Sequence, residues 1–167
     1  MADPPVGGSS RAPELEDLVE LCRRLNEADA RYLLIGGFAV ILHGFVRGTK
    51  DIDLLVDASA ANVARLRSAL SHLPDNAVAE VDDGDVERYA VVRVADEVVV
   101  DLMARACGID YEAAVRSGGV ERFELEGVQI PLASKGLLIR LKDTVRPGDA
   151  MDTEYLKMRI AEEEPDA

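Results

Sequence analysis

Asp51 and Asp53 are the residues of this chain whose type and spacing most directly suggest chemistry. They stand in the run Thr49-Lys50-Asp51-Ile52-Asp53-Leu54-Leu55-Val56, which reads as a strand over 51–56. Strand side chains alternate between faces, so Asp51 and Asp53 project to one side and Ile52, Leu54 and Val56 to the other, toward a core. Two carboxylates so close repel each other. A divalent cation between them removes the repulsion and takes the hard oxygen ligands it prefers. In phosphoryl chemistry such a cation neutralises triphosphate oxygens and lowers the pKa of an attacking hydroxyl. The plainer alternative is a solvated strand end whose acids cap a turn.

A two-metal site needs a third carboxylate on a neighbouring strand, and Asp101 is the candidate. It follows Glu97-Val98-Val99-Val100, and an acid inside so apolar a strand needs a reason, because a buried unpaired carboxylate is costly. If Val98 and Val100 face the core, Asp101 stands on the open face. A register slip of one residue turns it inward, and the sequence does not choose between the two. Gly36-Gly37 supplies the other half of the site: glycines let the backbone approach a phosphate closely, and a following helix start favours anions. No Gly-x-Gly-x-x-Gly pattern occurs, so a dinucleotide fingerprint is absent. Arg47 suits a phosphate or a pairing with Asp51 or Asp53. Lys142 reads as a solvated helix cation and His43 as a packed or helix-end histidine.

The rest of the composition bounds the class. At 167 residues, with 48% hydrophobic and 31% charged residues, the chain suits one globular domain. No apolar run reaches the roughly 18 residues of a membrane span. The first residues lack the apolar stretch of a signal peptide, so a cytoplasmic protein is expected, with Cys22 and Cys107 as reduced thiols. The formal net charge of −13 argues against a broad nucleic-acid footprint. From Lys135 to Arg159, however, six cations face four acids. A local basic face on an acidic protein fits a small anionic ligand.

The elements that must position these residues can be read from pattern. Residues 1–12 are rich in Pro, Gly and Ser and predict a disordered tail, residues 13–161 a single domain, and residues 162–167 an acidic tail. A helix should follow Pro13, with Leu15, Leu18, Val19, Cys22 and Leu25 on one face. Strands are expected at 32–35 and 51–56, a helix at 38–42, and a helix to Leu70 capped by Ser59. Val78 to Val81 suggests a short strand, 89–94 and 98–103 two more around Ala95-Asp96, and 111–115 a short helix. A hairpin should pair 123–125 with 128–131 across Glu126-Gly127, before helices at 134–144 and 149–161. That order defines an α/β fold.

Taken together, Gly36, Gly37, Ala39, His43, Gly44, Arg47, Thr49, Asp51, Ile52 and Asp53 resemble the signature of the nucleotidyltransferase (polymerase-beta-like) fold, in the abortive-infection, AbiEii-like branch of minimal nucleotidyltransferases found in toxin–antitoxin pairs. A second stretch, Leu138-Ile139-Arg140-Leu141-Lys142 with Arg146-Pro147-Gly148-Asp149-Ala150-Met151-Asp152, is similar to that branch's lysine-containing helix and following turn, with Gly148 where a lysine is usual. The resemblance covers roughly residues 30–156. It implies a short mixed sheet flanked by helices, with further helices at the C-terminus. It also implies Mg²⁺ or Mn²⁺ held by Asp51, Asp53 and Asp101, and nucleotide or phosphate binding by Gly36, Gly37, Arg47, Thr49 and Lys142. The implied activity transfers a nucleoside monophosphate from a metal-bound nucleoside triphosphate to an acceptor hydroxyl on a protein, a transfer RNA or a small molecule. A module of the same fold that binds nucleotide or a partner without catalysis is the alternative.

Overall fold

The computed structural model describes residues 10–144 and 146–163. The elements in chain order are α1 (Leu15–Glu27), β1 (Tyr32–Ile35), α2 (Gly36–Leu42), β2 (Asp51–Val56), α3 (Ala60–Leu70), a 3₁₀ turn (Ala77–Glu80), α4 (Asp85–Arg88), β3 (Val92–Ala95), β4 (Val99–Met103), β5 (Arg105–Ala106), β6 (Ile109–Asp110), α5 (Tyr111–Arg116), β7 (Val120–Leu125), β8 (Val128–Ala133), α6 (Lys135–Leu141) and α7 (Pro147–Glu163). Six strands form one mixed sheet in the order β3-β4-β2-β1-β8-β7, with β5-β6 as a separate small hairpin. β2 runs antiparallel to β1 and parallel to β4, β8 parallel to β1, and β3 and β7 antiparallel to β4 and β8. This is the mixed sheet with flanking and C-terminal helices expected from the sequence. No helix among the described residues is long and apolar enough to cross a membrane.

The core follows the apolar periodicity. Leu18, Val19, Leu21, Cys22 and Leu25 of α1 are buried, and α1 packs on α3 and β8. Asp17 accepts the Glu14 amide at 2.7 Å, which fixes the helix entrance. Ser59 caps α3 by accepting the Asn62 amide. Ile52, Leu54 and Val56 are buried as the strand alternation requires. Buried Asn62 locks α3 to the end of β1 and β2: it accepts the Arg31 amide at 2.7 Å and donates to the carbonyls of Arg31 and Asp57 at 3.0 and 2.7 Å.

Several expectations are corrected. Residues 78–81 are not a strand. The segment is a 3₁₀ turn, because buried Asp96 accepts the amides of Asp75 (3.0 Å), Ala77 (2.9 Å) and Glu97 (2.7 Å) and folds the chain around its carboxylate. Desolvation pulls the Asp96 pKa up, but those three amide bonds outweigh it and hold the group below its ordinary value. β3 begins three residues later than expected, since α4 and its cap at Tyr89 take the preceding segment. α2 starts at Gly36 rather than Phe38. Of the expected disordered tail, residues 1–9 lie outside the described residues, but Ser10 and Arg11 are docked. Ser10 donates to the Asp96 carbonyl at 2.6 Å, and Arg11 pairs with Asp17 at 2.6 Å and Glu97 at 3.2 Å. Residues 164–167 of the acidic tail also lie outside the described residues. Glu162 and Glu163 are the end of α7, where Glu163 meets Lys135 at 3.0 Å.

Candidate active site

The parallel pairing of β2 with β4 sets Asp53 directly opposite Asp101 and Asp51 opposite Val99. Val98 and Val100 are buried, so the register that leaves Asp101 on the open face is the one adopted. Asp51, Asp53 and Asp101 each offer a carboxylate oxygen, and these atoms lie within 4.8 Å of one another. Three hard anionic oxygens converging on one point suit a divalent cation such as Mg²⁺, which takes carboxylate oxygens and keeps some of its own water.

Electrostatics agrees with this reading. Burial, reinforced by the Asp51 and Asp101 charges, pushes the Asp53 carboxyl up to about 7, with Lys142 opposing the shift. Burial and the Asp101 charge also raise Asp51, against the pull of Arg93. The cage resists its own full ionisation and would be relieved by a cation.

The glycine pair belongs to the same construction. Gly36 has φ +72°, and a Cβ placed there would lie 2.0 Å from Asp53 Oδ2 and 2.7 Å from its Cβ. Only glycine can occupy a left-handed backbone position pressed against that carboxylate. A Cβ on Gly37 would meet Thr49 Oγ1 at 2.7 Å. Thr49 in turn donates to the Asp51 carbonyl at 3.1 Å, so the Arg47–Asp51 loop, the glycine pair and the acids form one packed unit. His43 caps α2 with its ring Nε2 2.8 Å from the Ala133 carbonyl. This ties α2 to β8 and bears out the packed reading of His43.

The cations fall into two sets. Arg47 does not pair with Asp51 or Asp53, as one reading of the sequence had it. Its Nη1 holds both oxygens of Asp152 at 2.6 Å. Asp152 is 2% exposed, and the Lys142 ammonium reaches it at 2.9 Å and Asp149 at 3.4 Å. A carboxylate buried this deeply needs such partners. Lys142 is thus a buried side chain braced by α7 and not the solvated helix cation that residue type alone suggests. The second set is Arg93, which sits opposite Asp101 in the β3–β4 pairing. Its Nε and Nη2 donate to the two Asp101 oxygens at 3.0 Å each, and Nη2 to Asp51 Oδ2 at 3.3 Å.

These residues line a trough. One side, of about 520 Å³, is bounded by Gly36, Arg93, Met103, Cys107, Lys142 and Arg146 around the three acids. It continues past Asp51, Asp53, Lys142 and Asp149 to Gly37, Arg47 and Thr49. The size is that of a small-molecule site. The structure therefore brings together around one opening all eight residues singled out from the sequence. Arg93, Arg146 and Asp152 were not among them. Arg93 had a signal, as the one cation within Val91-Val92-Arg93-Val94; Asp152 had only its place in the resemblance.

No family model matches the chain, and no curated protein matches it. Among solved structures it is similar to a protein of Thermotoga maritima, provisionally named a nucleotidyltransferase. The TM-score is 0.50 and the identity 16%, over 89% of this chain and 92% of that one. The similarity is one of fold, and it defines the molecule as a nucleotidyltransferase-fold protein.

Proposed function

We propose that the protein is a metal-dependent nucleotidyltransferase of the minimal, AbiEii-like type, transferring a nucleoside monophosphate from a nucleoside triphosphate to an acceptor hydroxyl. The observation that carries this reading is the convergence of Asp51, Asp53 and Asp101 to within 4.8 Å at the floor of the trough. The donor set fits Mg²⁺ or Mn²⁺. When bound, such an ion supplies charge neutralisation at the phosphates and a lowered pKa at the acceptor hydroxyl.

The chain's own residues do the rest. Asp51 and Asp53, on adjacent positions of one strand face, fix the ligand oxygens on a rigid sheet. Asp101, on the parallel neighbour, stands where an acceptor hydroxyl can pass its proton to a carboxylate. Gly36 and Gly37 keep the wall free of side chains, so the triphosphate lies against backbone. Lys142, buried and braced by Asp149 and Asp152, presents a fixed positive charge to the phosphates. Arg47, pinned by Asp152, and Thr49 shape the far wall of the nucleotide-binding side. Positioning and preorganised charge provide most of the rate acceleration in this chemistry. Residues 13–161 act as a single cytoplasmic domain, and a toxin–antitoxin role follows from the resemblance of the two motifs.

Incubation with each of the four α-³²P-labelled nucleoside triphosphates, magnesium, and protein, transfer RNA or aminoglycoside acceptors tests the reading. Label transferred to one acceptor class, and lost in Asp53→Asn, is expected. No transfer and no pyrophosphate release with any acceptor would favour a nucleotide- or partner-binding module of the same fold.

A further inference from the structure

The same trough holds a cation that the transfer reaction does not call for. We propose that Arg93 is the internal counter-ion of the carboxylate cage, occupying it when no metal is bound and displaced when a divalent cation takes Asp51 and Asp101. The inference rests on the metal reading of the site.

The contacts carry it. The Arg93 fork takes both oxygens of Asp101, at 3.0 Å each, and reaches across to Asp51 Oδ2 at 3.3 Å. These are two of the three acids a metal would link, so guanidinium and metal compete for the same lone pairs and the same negative potential. A side-on guanidinium covers both oxygens of Asp101 on one side, and a metal sharing that edge would meet a like charge within a few ångströms.

The surroundings determine which partner yields. The Arg93 side chain is 60% exposed, whereas that of Asp101 is 8% exposed. β3 is an edge strand, paired only with β4 among the described residues. The Arg93 guanidinium can therefore swing into water at little cost to itself, and the buried Asp101 carboxylate it leaves is then paired by the incoming cation. Lys142, the other cation beside the cage, is 9% exposed and bound to Asp149 and Asp152. It cannot leave without stranding a buried charge. The two cations thus have different roles: Lys142 is fixed and Arg93 is exchangeable.

The consequence is a preference for joint entry. A free divalent ion must expel Arg93 with nothing to receive the guanidinium but water. An ion arriving on a triphosphate brings anionic oxygens to the rim of the trough, where the released guanidinium can bind. Arg93 discourages stray divalent ions and couples metal loading to nucleotide binding.

The test is Mn²⁺ binding to nucleotide-free protein, followed by the paramagnetic resonance of free Mn²⁺, for the wild type, Arg93→Gln and Arg93→Lys. Removing one charge from a half-exposed cluster should tighten Mn²⁺ binding by roughly fivefold or more in Arg93→Gln. Arg93→Lys, which keeps the charge without the fork, should fall between. In the wild type, the Arg93 Nε–H resonance should move toward that of free arginine as Mg²⁺ saturates, a readout independent of whether a variant folds. Equal or weaker Mn²⁺ binding by Arg93→Gln would overturn the inference and make Arg93 a residue that orients the carboxylates. A resonance unmoved at saturating Mg²⁺ would overturn it as well. Absence of Mn²⁺ binding to every protein would remove the metal site, and the proposed function with it.

Discussion

Asp53 is where the chemistry and the stability of this protein meet. A carboxyl pushed up to about 7 behaves opposite to a salt-bridged one. Its folded-state pKa lies above the unfolded value near 3.8, so the folded protein binds more protons between those limits. Stability of the metal-free protein therefore falls as pH rises from about 4 to about 7 and is level above that. Asp53→Asn should flatten this slope to the part that Asp51, also raised by burial, contributes, leave the melting temperature at pH 8 unchanged or raised, and erase the stabilisation that magnesium gives the wild type. Thermal melts from pH 4 to 8, with and without magnesium, decide it; a collapse of the melting temperature in Asp53→Asn would make the residue structural. The same protonation predicts that metal uptake at pH 7 releases about half a proton from this residue. Calorimetry in two buffers of different ionisation enthalpy measures that release.

At the scale of elements, the sequence was legible where local rules and tertiary demands agree. The alternation in β2, the Ser59 cap and the Glu126-Gly127 hairpin turn were each readable, because one short-range pattern dictates each. The Asp51–Asp53–Asp101 convergence was legible as chemistry, but its register was not, since a strand pattern cannot say which neighbour it pairs with. Arg93 and Asp152 were missed because their meaning depends on partners 8 and 105 positions away. The 77–80 segment was misread because Asp96, far along the chain, organises it. The glycine pair shows how a correct residue can carry a further reason. Both were read as a phosphate turn, yet Gly36 is also required by the packing of Asp53. Gly36→Ala should cost about 2–3 kcal/mol, combining left-handed strain with a clash against a carboxylate that cannot leave its strand. Gly37→Ala, which has no positive φ and meets chiefly a hydroxyl, should cost about 1 kcal/mol. Urea unfolding of the two variants orders them; equal losses would mean that the approach to Asp53 is not what demands Gly36.

Across the whole molecule, the question is how a chain of net charge −13 would hold the polyanion that the proposed function requires. Long-range repulsion opposes a triphosphate at every approach, and salt screens only part of it. Within the trough the sides are closely matched: Asp51, Asp53, Asp101, Asp149 and Asp152 stand against Arg47, Lys50, Arg93, Lys142 and Arg146. Three of these cations are already engaged, Arg47 by Asp152, Lys142 by Asp149 and Asp152, and Arg93 by Asp101 and Asp51. Little positive charge is left over, so the triphosphate cannot be held by side chains alone. A divalent ion would change the balance twice, by cancelling the carboxylates and, on the inference above, by freeing Arg93. Nucleoside triphosphate binding should therefore depend on the metal far more than on ionic strength. Removing magnesium should weaken it by roughly a hundredfold or more, whereas raising salt from 50 to 200 mM at saturating magnesium should change it only a few-fold, as screening of a compact site predicts. Titration calorimetry with magnesium and with chelator measures both effects. Equal affinity in chelator would mean that the phosphates are gripped by Lys142 and Arg146 away from the carboxylates, and that the three acids do not form the nucleotide's metal site.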